Sequence, residues 1–174
     1  MISKKMAKII NEQITKEMYS AYLYLSMASY FEVGNLPGIA TWMRVQAQEE
    51  TAHGMIFFNY LADHGERALM GTIDTPVTNF KSVLAVFEMT LAHEKTVTAS
   101  IYKLLDQSLA DHDYATQNFL QWFVKEQVEE EKNADTIIGK LKRIGKSEDG
   151  LYMLDRELAA RVFVMPAPLV AGAA

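Results

Sequence analysis

Along four long stretches of the chain, apolar residues return every three or four positions, the spacing of one helix face. The first stretch, Lys5 to Val33, carries Ile10, Ile14, Glu17, Ala21, Tyr24, Ala28 and Phe31 on its stripe. The second, Pro37 to His64, carries Ile39, Met43, Gln46, Glu50, His53, Phe57, Tyr60 and His64. The third, Phe80 to Gln107, carries Phe80, Leu84, Phe87, Leu91, Glu94, Thr98, Ile101 and Leu105. The fourth opens at a cap on Asp111 or Asp113 and runs to Ile144, with Leu120, Phe123, Gln127, Glu130, Ala134, Ile137 and Leu141. The punctuation agrees with these spans. Gly34-Asn35-Leu36-Pro37-Gly38 is a turn signal, and Pro37 suits the first turn of a helix. Gly65 is placed to cap the second stretch, and Gly145-Lys146-Ser147 breaks the fourth. Ser147 or Asp149 opens a short fifth helix that ends near Arg161. No strand is expected outside the crossover and the tail, so the pattern predicts an all-α fold.

Long helices joined by short turns pair antiparallel. The first and second stretches make one such hairpin, the third and fourth another. The connection between them, Glu66 to Asn79, contains Gly71 and Pro76 and reads as extended chain. About 15 residues at about 3.3 Å each reach about 50 Å. A helix of about 28 residues is about 42 Å long. This segment therefore runs the length of the bundle and leaves the second and third helices parallel. The expected organisation is one domain over 1–174: a four-helix bundle at about 5–144, a fifth helix at about 148–161 and a tail at 162–174. The prolines at 166 and 168 end any helix in that tail, which is expected to be loosely ordered.

Composition narrows the chemistry. A length of 174 residues suits one domain, and 49% apolar residues suffice for a sizeable core. The net charge of −5 disfavours nucleic acid as a partner and suits a protein that attracts cations. With no cysteine there is no disulfide, thiolate zinc site or Cys-ligated iron–sulfur cluster, which fits the cytoplasm. Met-Ile-Ser-Lys-Lys-Met is not followed by the apolar core of a signal peptide, and no apolar run is long enough to span a membrane.

The polar residues on the buried stripes carry the chemistry. Glu17, Glu50, Glu94 and Gln127 fall near the midpoints of their helices, and a midpoint keeps its height whichever way a helix points. They should meet at one level. Glu17 to Glu50 is the same spacing as Glu94 to Gln127, and Glu50 to His53 the same as Gln127 to Glu130, so the hairpins resemble halves related by a pseudo-twofold. Glu50 and His53 share one helix face and make a pair of metal ligands. Six residues then converge: Glu17, Glu50, His53, Glu94, Gln127 and Glu130. Burying one carboxylate costs several kcal/mol, and a cluster of them repels itself. Divalent cations relieve both costs. Oxygen ligands with one imidazole suit iron or manganese and also accept zinc. Two metals bridged by Glu50 is the economical arrangement, and a protonated, hydrogen-bonded polar core is the alternative. A second acidic group comprises Glu49, Glu126, Glu129 and Glu130, read either as a solvated face or as a further metal site or exit path.

These motifs resemble the bacterial non-haem ferritins over roughly Met1 to Arg161. The resemblance rests on Glu17, Glu50-x-x-His53, Glu94 and Gln127-x-x-Glu130. Gln127-x-x-Glu130 stands where related di-iron proteins have a second Glu-x-x-His, which makes the second position weaker and suits iron that moves on. It also separates the chain from bacterioferritin, as do Thr51 and Ala52 where a haem-ligating Met would stand, so no haem is expected. The lack of Cys pairs separates it from rubrerythrin, and the fifth helix from the smaller DNA-protecting shells. The resemblance implies a ferritin-like bundle assembled into a hollow homo-oligomer of 24 copies that oxidises Fe(II) with dioxygen or hydrogen peroxide and stores ferric mineral. It implies two irons per chain: one held by Glu17, Glu50 and His53, the other by Glu50, Glu94 and Glu130, with Gln127 beside them. It further implies a third iron at Glu49, Glu126, Glu129 and Glu130, and an electron-donating role for Tyr24, otherwise a core tyrosine. Trp122 reads as packing, and His64, His93 and His112 as surface or helix-end residues. The tail would lie inside the shell. The rival classes are a di-metal carboxylate oxidase and a metal-free structural bundle.

Overall fold

A computed structural model describes residues 2–171. Among them the chain forms six helices: α1 (Lys4–Val33), α2 (Pro37–Asp63), α3 (Val83–Ala110), α4 (Tyr114–Ile144), α5 (Glu148–Leu158) and α6 (Ala167–Ala171). The all-α expectation holds, and helix boundaries move by a few residues where a capping side chain decides them. Ser3, Ser82, Asp113 and Ser147 each accept a bond from a backbone N–H in the first turn of the helix they open. Ser82 therefore starts α3 three residues later than the apolar pattern alone indicates. α3 runs on to Ala110, and α5 stops at Leu158, short of Arg161.

Three corners share one device. The N–H groups of Leu36, Glu66 and Asp113 bond to the carbonyls of Phe31, Leu61 and Ser108 at 3.0, 2.9 and 2.9 Å. Each bond closes around one residue in the left-handed region: Asn35 (φ 55°), Gly65 (φ 70°) and His112 (φ 53°). In the first corner Asn35, not the adjacent Gly34, takes that conformation.

The crossover runs along α1. Lys4 pairs with Glu66 at 2.8 Å, Asn11 accepts from the Leu69 N–H at 2.5 Å, and Ser26 donates to the Val77 carbonyl at 2.7 Å. The chain thus passes from one end of the bundle to the other before α3 begins, which makes α2 and α3 parallel.

α2 opens on Leu36, which offers no side-chain cap. The cap comes from α5: Asp155, buried, accepts from the Ile39 N–H at 2.8 Å. The close approach needs Gly38, where an added Cβ would collide with the Asp155 backbone. α5 is thereby fixed against the start of α2.

The tail departs from the loosely ordered end expected. Phe163, Met165 and Leu169 lie in a groove with Leu25, Ala47 and Met55, and α6 packs on α2. Pro168 is accommodated because it sits in the first turn of α6, where its missing N–H costs nothing. The last part of the tail, 172–174, lies outside the described residues.

The core is divided. One apolar cluster gathers Tyr24, Met27, Phe31, Met43, Phe87 and Leu141; the other gathers Met6, Ile10, Ile14, Phe57, Ile101 and Phe123. Between them lies a layer of buried polar side chains.

Candidate metal centre

Glu17, Glu50, His53, Glu94, Gln127 and Glu130 are all buried, each at most 4% exposed, at the middle of α1 to α4. The mid-helix argument therefore places them correctly. One ligand atom each from Glu17, Glu50 and His53 lies within 4.8 Å of the others. His53, Glu126 and Glu130 make a second such group, a combination that sequence spacing did not suggest.

The surroundings order these side chains. Gln13 donates from Nε2 to Glu17 at 2.7 Å, Ser100 donates to Gln13 Oε1 at 2.5 Å, and Lys16 donates to Ser100 at 2.6 Å. This chain of bonds leads from Glu17 to the polar groove between α1 and α3. Gln46 donates to Glu130 at 3.0 Å. Gln127 directs its amide nitrogen at a Glu94 carboxylate oxygen, 3.2 Å away, so it acts here as a hydrogen-bond donor. The Tyr24 hydroxyl donates to the other Glu94 oxygen. His53 meets the edge of Trp122 at a ring-centroid distance of 5.5 Å.

Burial dominates the electrostatics. Desolvation raises Glu17, and it raises Glu50 and Glu130 well above the usual carboxylate range, with Glu94 adding repulsion to both. Glu94 rises to about 7, again through desolvation, against the opposing bonds from Tyr24 and Gln127. Desolvation lowers His53 to about 4, leaving a neutral imidazole, the form that binds metal. Four buried atoms of this layer have no hydrogen-bond partner: Glu17 Oε2, Gln46 Oε1, Glu50 Oε2 and His53 Nε2. Buried polar atoms are ordinarily satisfied. Two carboxylate oxygens and an imidazole nitrogen left bare at one level are the donor set of a hard or borderline cation.

The second acidic group does not converge as a unit. Glu126 turns toward His53, Glu129 is exposed, and Glu49 forms an ion pair with Arg161. His93 also departs from expectation. It is half-buried, bonds to Ser20 at 2.7 Å and meets the Tyr19 ring at a tilt and the Tyr24 ring edge-on, because α3 turns it inward beside Glu94. His64 and His112 do lie at helix ends.

Gln13, Ser100 and Arg161 were missed as neighbours of the site. A signal existed for the first: Gln13 stands four residues before Glu17 as Gln46 stands four before Glu50. Nothing in the spacing of Arg161 pointed to Glu49.

Comparison with known proteins identifies the family and the fold. The ferritin-like domain family matches residues 7–144. A bacterial non-heme ferritin of Staphylococcus saprophyticus is 43% identical over 163 residues, covering 94% of this chain and 98% of that protein. One from Campylobacter jejuni is 43% identical over 156 residues, covering 90% and 93%. An engineered closed form of the Archaeoglobus fulgidus ferritin superposes with a TM-score of 0.93 at 46% identity, over 94% of this chain and 100% of that one. The open-pore form of that ferritin superposes with a TM-score of 0.91 at 46% identity, over 92% and 98%.

Proposed function

The chain belongs to the ferritin family of iron-storage proteins, and on that footing we propose that each subunit oxidises Fe(II) at a centre formed by its own helices. Fe(II) is the substrate. Glu17, Glu50 and His53 hold one ion, and Glu50, Glu94 and Glu130 hold the second, with Gln127 steadying Glu94. The observation that carries this reading is the set of bare, buried donor atoms on Glu17, Glu50 and His53.

Two Fe(II) ions give up one electron each. Dioxygen takes both electrons with two protons and leaves as hydrogen peroxide; peroxide, used instead, takes two electrons and two protons and leaves as water. The chain supplies geometry and charge, and the redox chemistry belongs to the metal. Carboxylates raised by burial release protons when the cations arrive, since a ligand must be deprotonated to bind. The bond from Gln13 orients Glu17, and the bond from Tyr24 orients Glu94, with the phenol within reach as an electron donor. Burial in the dry layer keeps bulk water from competing for the ions. Negative charge draws Fe(II) inward.

The product, Fe(III), is stored as mineral inside a homo-oligomeric shell of 24 copies in the cytoplasm. A third iron at Glu49, Glu126, Glu129 and Glu130 draws less support, because these acids face three different ways. A di-metal oxidase acting on an organic substrate is the second reading, and no observation favours it over iron.

The direct test is Glu50→Ala. Fast Fe(II) oxidation should fall by two orders of magnitude or so, since removing even an outer-shell partner of a metal ligand costs about 10- to 100-fold. The circular dichroism spectrum should stay helical. Unchanged oxidation in a folded Glu50→Ala protein would overturn the assignment.

A further inference from the structure

Arg161 follows α5 and folds back over α2. Its Nη2 is ion-paired with Glu49, and both side chains are only 18% exposed. Its guanidinium carbon lies 4.4 Å from the centre of the Trp42 ring, so the indole holds it from one face. Its Nη1 is buried without a partner. A guanidinium is always charged, and this one sits where Glu126 and Glu130 also feel its field. α5 is itself locked to the start of α2 through Asp155, so Arg161 is delivered by a fixed element and not by a loose arm.

We propose that Arg161 is a built-in cation that takes up the Glu49 carboxylate and, with its charge felt at Glu126 and Glu130, closes this acidic face to a third metal ion. The inference rests on the two-iron reading above. A divalent ion using Glu49 must displace the guanidinium from its carboxylate or lie beside a like charge that Trp42 holds in place. Either alternative weakens the site. Arg161 therefore sets how many ions each chain takes up tightly: two, at the centre formed by α1 to α4.

The test is anaerobic titration of the assembled protein with Co(II), which binds such ligands without being oxidised, followed by calorimetry and ligand-field absorbance. The wild type should take up two ions per chain tightly, with any third at least tenfold weaker. Arg161→Met keeps the stem over Trp42 and removes the charge, and it should gain a third ion with at least tenfold tighter binding. Arg161→Lys keeps a cation and should stay at two. Arg161→Met/Glu49→Gln should return to two, which identifies Glu49 as a ligand of the added ion. Arg161→Gln serves the same purpose if the Met variant does not assemble. A wild type that binds three ions alike, or charge-removing variants that stay at two, would overturn the inference. A wild type that binds no Co(II) would instead overturn the two-metal reading on which it rests.

Discussion

Glu17 shows how much of the site is decided by single side chains. Its carboxylate is buried, raised in proton affinity and steadied by Gln13, which in turn is held by Ser100 and Lys16. Gln13→Leu removes the amide donor to Glu17 and should weaken Co(II) binding about tenfold, the usual effect of losing an outer-shell partner. It should also move the pH midpoint of binding upward, because the bond from Gln13 is one of the influences that lower Glu17. An unshifted midpoint would show that Gln13 only fills space. The ligand residues themselves were legible in the sequence because each is a polar interruption of an apolar stripe. Their partners were not: Ser100 and Arg161 reach the site through contacts between distant elements, which no local spacing encodes. His93 was misplaced for the same reason, since only the packing of α3 on α1 turns it inward.

At the level of elements, periodicity located every long helix, and caps corrected the ends. The crossover direction was legible from length alone, and its bonds to Lys4, Asn11 and Ser26 explain how it is held. What the sequence concealed is the dependence of α2 on α5. Leu36 provides no cap, and Asp155 supplies one from the far end of the chain. Asp155→Ala should cost about 1–3 kcal/mol, the range for leaving a buried donor unpaired. Thermal melting and proteolysis should show α5 released before the four-helix bundle unfolds. Retention of a protected α5 in that variant would contradict the capping role. Because Arg161 follows α5, the same variant should loosen the ion pair with Glu49.

For the whole molecule, the polar layer between two apolar clusters trades stability for chemistry. The sign of its pH dependence follows from the shifts. A carboxylate such as Glu94, at about 7 when folded against 4.5 when free, binds more protons in the native state. The stability it lends below pH 4.5 is therefore lost as pH rises through 7. Glu17, Glu50 and Glu130 act in the same direction. His53, at about 4 when folded against 6.5, acts oppositely, and its contribution is complete above 6.5. Above that point only the carboxylates remain, so metal-free protein should melt at lower temperature at pH 8 than at pH 6.5. Added Co(II) should restore most at pH 8, where its ligands are deprotonated. A melting temperature that rises with pH in chelator would contradict this account of the layer.

The central claim is that the centre within each chain oxidises iron. The most direct measurement is aerobic addition of Fe(II) at increasing ratio to the assembled shell, following ferric absorbance and oxygen uptake together. A fast phase that saturates near two irons per chain is expected, the capacity of a di-iron carboxylate bundle. Oxidation no faster than in buffer would leave the bundle standing and contradict the function assigned to it.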